Sequence, residues 1–310
     1  MPWRQVIDAF ELLDSAGVDG SQVAEMLRAH GVEEITVTTI RGEQGKTDFV
    51  KAIIPGSRGR RRGGEAPTLG IVGRLGGLGA RPERIGFVSD GDGALTAISC
   101  ALKLGMMRQK GDVLAGDVIV ATHVCPDAPT QPHDPVPFMG SPVDMAAMNR
   151  HEVDPAMEAI LSVDTTKGNR IINVRGFAIS PTVKEGYILR ISEDLLDIMQ
   201  IVTGRLPAVF AITTQDITPY GNGVFHLNSI LQPATATSAP VVGVAITTEV
   251  PVPGCGTGAT HLEDVESAAR FCLEVAKAYG AGKCSFYDPE EFRHLVALYG
   301  PLTQLQTMGK

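Results

Sequence analysis

Residues 4 to 14 set Val6, Ile7, Phe10, Leu12 and Leu13 along one stripe, the spacing of an amphipathic helix. A second helix follows Ser21, with Val23, Met26 and Leu27 inward and a stop near Gly31. Glu34 to Arg41 (EITVTTIR) alternates as a strand, and Asp48 to Ile54 (DFVKAII) answers it across a glycine-containing turn, which predicts an antiparallel pair. Leu69 to Val72 is a short apolar strand running into GRLGGLG. Ile85 to Val88 reads as a β run leading to Ser89, Asp90, Gly91 and Asp92, with a helix from about Ala94 to Met107. Acidic residues in a helix's first turn suit its dipole, so part of that cluster is explained without function.

Asp117 to Thr122, Met157 to Val163 and Val241 to Ile246 are near-continuous apolar runs of the kind buried in a parallel sheet. Ile188 to Val202 reads as a helix, Ala208 to Ile212 as a strand, and Gly221 to Ile230 as a turn entering a short helix. Thr260, His261, Leu262 and Glu263 form a capping-box pattern for a helix reaching about Ala278. Strands alternating with helices indicate a βαβ sheet covered on both faces. No repeat, low-complexity tract or linker interrupts the pattern, so residues 1–310 are read as one α/β domain.

Composition narrows the classes. The chain is 44% hydrophobic and 20% charged, and its 35 glycines and 20 prolines fit many tight turns between short elements. A net charge of −8 argues against nucleic acid as a partner, which needs a concentrated basic face. The one basic run, Arg58 with Arg60, Arg61 and Arg62, is read as a solvated hairpin tip with an anion contact as the alternative. Five irregularly spaced cysteines without a CxxC pair suit a reducing compartment. The acidic amphipathic start is unlike a signal peptide, and no segment has the run of ~18 apolar residues that a membrane span needs. A cytoplasmic protein with a small-molecule partner is the expectation.

Candidate chemistry gathers where the predicted strands end, the usual place for sites in open α/β sheets. Asp90 and Asp92 follow Val88. His123, Cys125, Asp127, His133 and Asp134 follow Thr122; Asp164 and Lys167 follow Val163; Glu249 and Cys255 follow Ile246. His123-x-Cys125-x-Asp127 can point three donors one way just past a strand. That pattern admits a zinc-like ion, a loop of backbone-bonded side chains, or a nucleophilic Cys125 activated by His123 or His133. Asp164 ends a buried strand, where a carboxylate binds a cation or accepts several backbone donors, and Lys167 is placed to pair with it. His226, His261, Cys100 and Cys272 read as structural.

The runs SDGDGA, THVCPDAPTQPHDPVPFMGSPVDM, SVDTTKGNR and ITPYGNG closely resemble a bacterial and archaeal family catalogued as a domain of unknown function, over essentially the full length. More distantly, the order of elements resembles the co-catalytic zinc aminopeptidases of the leucine-aminopeptidase-like and tetrahedral group. That resemblance implies a three-layer α/β sandwich with a mixed, mostly parallel central sheet of the phosphorylase/hydrolase-like type. LGIVGRLGGLG, SDGDGAL, IVATHVC, LSVDTT and VGVAITTEVPVPGCG stand at the five ligand-bearing places. The departures are large: Arg74 and Gly76 replace the first His and Asp, Val124 and Cys125 replace the Glu pair, and the last histidine falls near Gly254 or Cys255. Asp164 and one of Asp90 or Asp92 carry over.

The expectation is a hydrolase-like enzyme acting on a small amide or peptide-derived substrate through a rebuilt, mononuclear site for zinc or manganese. Asp90, Asp92, His123 and Asp164 supply the metal ligands. Asp127, His133 and Cys125 are the catalytic candidates, and Arg74, Lys167, Asn222 and Cys255 the substrate-binding ones. The alternatives are a metal-free Cys/His isomerase or amidase and a non-catalytic small-molecule binder. A homo-oligomer is expected because related scaffolds assemble.

Overall fold

A computed structural model describes residues 1–82, 84–132, 138–252 and 258–309. The helices are α1 (Trp3–Leu13), α2 (Gly20–Ala29), α3 (Asp92–Gln109), α4 (Met145–Glu152), α5 (Glu193–Thr203), α6 (Leu262–Gly280) and α7 (Pro289–Tyr299). The strands are β1 (Glu34–Gly42), β2 (Gly45–Ile54), β3 (Leu69–Gly73), β4 (Val118–Val124), β5 (Thr130–Gln131), β6 (Phe138–Met139), β7 (Ala159–Thr166), β8 (Gly176–Ile179), β9 (Val183–Lys184), β10 (Tyr187–Ile188) and β11 (Val241–Thr247).

The main sheet runs β1-β2-β4-β3-β7-β11-β9-β10, with β8 also on β11. β3 pairs in parallel with β4 on one side and β7 on the other, and β7 pairs in parallel with β11. The margins, β1–β2, β2–β4 and β8 and β9 on β11, are antiparallel. β3, β4 and β11 are buried along their whole length and β7 along most of it, which is why their sequences are apolar throughout rather than alternating.

Successive side chains point to opposite faces, so each central strand feeds two cores. Leu69, Ile71, Val118, Val120, Leu161, Val163, Val242 and Val244 face the layer of α1, α2, α3, α5 and α6. Val72, Ile119, Ala121, Ile160, Val241 and Ala245 face the other way, onto Phe210, Ile217, Ile230 and Leu231. The second covering layer therefore consists of α4 and two short 3-10 turns, Thr214–Ile217 and Ser229–Thr235. The protein is an α/β sandwich on a mixed sheet, with one thick and one thin helical layer.

Three local expectations are corrected. Residues 85–88 form no strand, and Ile85 is 95% exposed: four residues with no pairing partner in reach do not make a strand. Residues 208–212 contribute one bridge, Val209 to Ile179. Helix α5 starts at Glu193, not Ile188, because Ser192 caps it by accepting the Leu195 N–H at 3.3 Å, while Ile188 pairs in β10. Among the described residues no helix is long and apolar enough to cross a membrane.

Candidate functional site

From β3 the chain goes through α3 to β4 on one side, then crosses back through α4 to β7 on the other side of β3. The strand order reverses between β3 and β7, and the crevice beyond their carboxyl ends is where this architecture places ligands. Backbone contact there is close: Arg74 N–H donates to Val163 O at 2.7 Å. α3 starts on the same spot, since a Cβ on Gly93 would lie 2.4 Å from Arg74 O and 2.6 Å from Val163 O.

Arg74, immediately after β3, is wholly buried and forms an ion pair with the equally buried Glu152 at the end of α4. Its guanidinium also donates to Asn149 Oδ1 at 3.3 Å. The other oxygen of Glu152 meets His123 Nδ1 at 2.6 Å, and His123 Nε2 accepts the Gly76 N–H at 3.0 Å. Burial pushes the Glu152 carboxyl up, but the Arg74 charge and the His123 hydrogen bond outweigh it and hold the group below its usual value. With Nε2 accepting, the His123 proton sits on Nδ1, so neither nitrogen has a free lone pair. Arg74 is thus tied to the carboxylate of Glu152.

Asp92 opens α3 and is fully buried. Lys167 Nζ donates to its Oδ2 at 2.7 Å and Thr260 Oγ1 to its Oδ1 at 2.8 Å. The lysine side chain is itself 3% exposed. Thr260 therefore serves Asp92 and not the capping box, and α6 begins with His261 at its N-cap and no side-chain cap. His261 Nδ1 lies 3.3 Å from Asp264 Oδ2. Lys167 partners Asp92, not Asp164.

Asp164, near the end of β7, is 2% exposed. Ser229 Oγ donates to its Oδ2 and its own following amide, Thr165 N–H, to its Oδ1, both at 2.7 Å. Burial pushes the carboxyl up to about 6, against the pull of these bonds and of the Arg74 charge. The phenol of Tyr220 is pushed up, by burial first and then by the charge of Asp164. Four buried polar atoms on β7 or on the segments next to β3 and Ser229 have no partner among the described residues: Arg74 Nε, Ser162 Oγ, Thr165 Oγ1 and Asn228 Nδ2. Unpaired groups of this kind are uncommon in folded proteins and mark places that serve a ligand, water or strain.

The other candidates stand apart. Cys125 is buried against Gly77 at the end of β4, and burial with the nearby Asp127 charge pushes its thiol up to about 12. A thiol so raised is not ionised at neutral pH. Asp127 is exposed on the bridge to Ala80. Asn222 closes its own turn by accepting the Val224 N–H at 3.0 Å. Asp90 is buried and lies in the 3-10 turn Ser89–Gly91 ahead of α3. His133 and Cys255 lie outside the described residues.

Sequence reasoning missed Glu152, Tyr220, Ser229, Asn149 and Thr260. Glu152 ends a helix of polar appearance and carries no signal of burial. Ser229 and Thr260 are far from Asp164 and Asp92 in the chain. Only the ITPYGNG run hinted at Tyr220.

Among the described residues the donors at this edge are already engaged by protein partners and offer no ready site for a divalent ion. A zinc-like ion needs free lone pairs from imidazole, thiolate or carboxylate. Both His123 nitrogens are used, Asp92 already holds an ammonium, Asp164 accepts two donors, and Arg74 brings a fixed positive charge where a ligand would stand. Among the described residues no three His, Cys, Asp or Glu side chains group as a metal-holding set. Two open cavities flank the network. One of about 430 Å³ is lined by Asn149, Tyr220, Gln232 and Met308, among others. One of about 760 Å³, at the end of β11, is lined by Thr248, Glu249, His261 and Asp264, among others.

The fold is similar to that of the aminopeptidase LapA of Legionella pneumophila, at a TM-score of 0.51 and 11% identity, covering 93% of this chain and 71% of that one. A second structure of the same protein gives 0.51 and 11%, over 91% and 72%. A glutaminyl cyclase of an Acidobacteriales bacterium gives 0.48 and 13%, over 91% and 94%. No curated protein matches the sequence. A family model covers residues 38–309, and the chain belongs to that family, described as a protein of unknown function, DUF1177.

Proposed function

We propose that the chain is an enzyme acting on a small amide or peptide-derived molecule in the crevice beyond β3 and β7, with Asp164 as the group that takes up and returns a proton. The observation that carries this reading is the setting of Asp164. It is a buried carboxyl at the strand-order reversal, oriented on one oxygen by Ser229 and on the other by Thr165 N–H. Its raised value, about 6, suits proton transfer near neutral pH in both directions. Arg74 Nε and Asn228 Nδ2 are donors of the type that steadies a polarised carbonyl oxygen. The likeness of fold to an aminopeptidase makes amide-bond substrates the first class to examine.

The version with one ion on Asp90 or Asp92, His123 and Asp164 requires His123 and Asp92 to surrender their present partners. The version with Cys125 as nucleophile requires ionising a thiol held at about 12. A non-catalytic binder has one observation in its favour: Glu152, His123, Asp92 and Lys167 are already bonded to one another or to neighbouring protein groups.

The test is turnover of a panel of small amides and dipeptides by wild type and Asp164→Asn, with Tyr220→Phe alongside. The expected result is a substrate whose turnover falls by about 10²–10⁴ in Asp164→Asn, the usual loss for a positioned acid–base group. Full activity in that variant would remove Asp164 from the chemistry. Panel members that raise the melting temperature without being turned over would replace catalysis by binding.

A further inference from the structure

Helix α4 serves two neighbours. Asn149 and Glu152 bond Arg74, while Met145, Asn149 and Val153, four residues apart and so on one side of the helix, border the cavity of about 430 Å³. Across from α4 the cavity is closed by Tyr220, by Gln232 on the 3-10 turn Ser229–Thr235, and by Met308. Hydrogen bonds inside the protein fix these walls. Asn149 Nδ2 donates to Gln232 O at 3.1 Å, Tyr220 N–H to Gln232 Oε1 at 3.1 Å, and Gln232 Nε2 to Thr218 O at 2.8 Å. On the far side Gln306 Nε2 donates to Ala234 O at 2.7 Å and Thr237 O at 2.8 Å. The 3-10 turn that carries Gln232 begins at Ser229, whose hydroxyl holds Asp164, so one short element joins the cavity to that carboxyl.

Among the described residues Arg150 is the single charged group lining this cavity. It is exposed, and the acids nearest to it along the chain are spent elsewhere. Glu152 takes Arg74 and His123, Asp154 takes Lys51 at 2.8 Å, and Asp144 caps α4 by accepting the Ala147 N–H at 2.7 Å. A guanidinium at the rim of a cavity without acids attracts an anion, and its fork of donors matches a carboxylate. Met145, Val153 and Met308 make part of the lining apolar, which suits an organic body rather than a bare inorganic ion. The volume falls within the range of about 300–1,000 Å³ usual for small-molecule sites. We infer that the cavity receives small carboxylic acids with an apolar side chain, Arg150 binding the carboxylate while Met145, Val153 and Met308 take the side chain. The inference deepens the reaction proposed above and rests on it for one point only, that the amide of a peptide-derived substrate lies toward Asp164 when its free carboxylate is on Arg150.

The experiment is titration calorimetry with N-acetyl-leucine, N-acetyl-methionine and N-acetyl-phenylalanine and with the amide of each. It compares wild type with Arg150→Gln, Arg150→Lys, Ala146→Trp and Arg62→Gln. Ala146 is exposed and lines the cavity, so a tryptophan there fills it, whereas Arg62→Gln removes an exposed charge elsewhere. Wild type is expected to bind at least one acid saturably at millimolar concentration, about tenfold more tightly than its amide, the margin of one charge-assisted contact. Arg150→Gln should lose that margin, so that acid and amide bind alike, and Arg150→Lys should keep part of it. Ala146→Trp should weaken both ligands, and Arg62→Gln should match wild type. Equal affinity for acid and amide in wild type, or no saturable binding of any acid, would overturn the inference. So would full affinity for the acid in Arg150→Gln or in Ala146→Trp. Should Arg150→Gln not fold, the acid-to-amide ratio in wild type and the loss in Ala146→Trp decide the matter. Binding of the acids with no turnover of any amide would remove the proposed reaction and leave this site standing. Turnover equally fast for substrates with and without a carboxylate, and unchanged in Arg150→Gln, would do the reverse.

Discussion

Asp164 is held in a way that costs the protein stability. Its carboxyl is raised to about 6 by burial, whereas an unfolded aspartate sits near ~3.9. The native state therefore keeps the proton to higher pH than the unfolded chain does. The contribution from this group is fully present below pH ~4 and is lost as pH rises through about 6. Asp164→Asn removes that titration while retaining a side chain that can accept from Thr165 N–H and meet Ser229. Denaturant unfolding of wild type and variant should accordingly converge near pH 4, with the variant ahead by about 2–3 kcal/mol near pH 7.5. Parallel profiles across that range would show that Asp164 is ionised in the fold at its ordinary value. Asp92 is raised by burial too, but Lys167 and Thr260 satisfy both of its oxygens, and it belongs to the fixed part of the site. The identities of Asp92, His123, Asp164 and Lys167 stand out in the sequence because each follows an apolar run. Their partners do not: Glu152, Thr260 and Ser229 sit 29, 168 and 65 residues away from the groups they bond.

At the scale of the element, the start of α3 decides how tightly the crevice is closed. Gly93 lets the helix rest on Arg74 and Val163, and Gly73 does the same from the strand, with a Cβ that would meet Gly93 O at 2.4 Å. Both contacts are with backbone, which cannot rotate away as a side chain can. Gly93→Ala should push α3 off the β3–β7 edge and cost about 1–3 kcal/mol, the usual range for overpacking a dense interior. Activity on any substrate found should fall in the same variant. A variant with unchanged stability would mean the helix start has room that the contact distances deny. Most elements were legible from periodicity, because α1, α2, β1, β2 and the four central strands carry their pattern within a few residues. Those that went wrong, residues 85–88 and 208–212, are apolar runs too short to distinguish strand from loop without knowing what lies beside them.

For the molecule as a whole, the sheet sets a gradient of protection. β3, β7 and β11 are covered on both faces and paired on both edges, whereas β1 has a free edge and a largely half-exposed pattern. Amide hydrogen exchange should be slowest in β3, β7 and β11 and faster in β1 by orders of magnitude, since exchange there requires only local opening. Uniform protection across all nine strands would instead point to opening in a single global step. The site lies at the ends of the best-protected strands, which gives Arg74 and Asp164 a rigid base.

The sequence by itself determined the alternation of strands and helices, the four apolar central strands, and the edge at which polar residues collect. These are local properties: burial on both faces writes a continuous apolar run, and a strand end is marked by the first polar residues after it. The tertiary structure alone decided which charges neutralise which. Glu152 takes both Arg74 and His123, Lys167 takes Asp92, and Ser229 takes one oxygen of Asp164. A side chain's partner depends on which elements the crossovers bring to one crevice, and no spacing along the chain encodes that. Asp92, His123 and Asp164, which look like metal ligands in isolation, are in the fold bonded to protein groups.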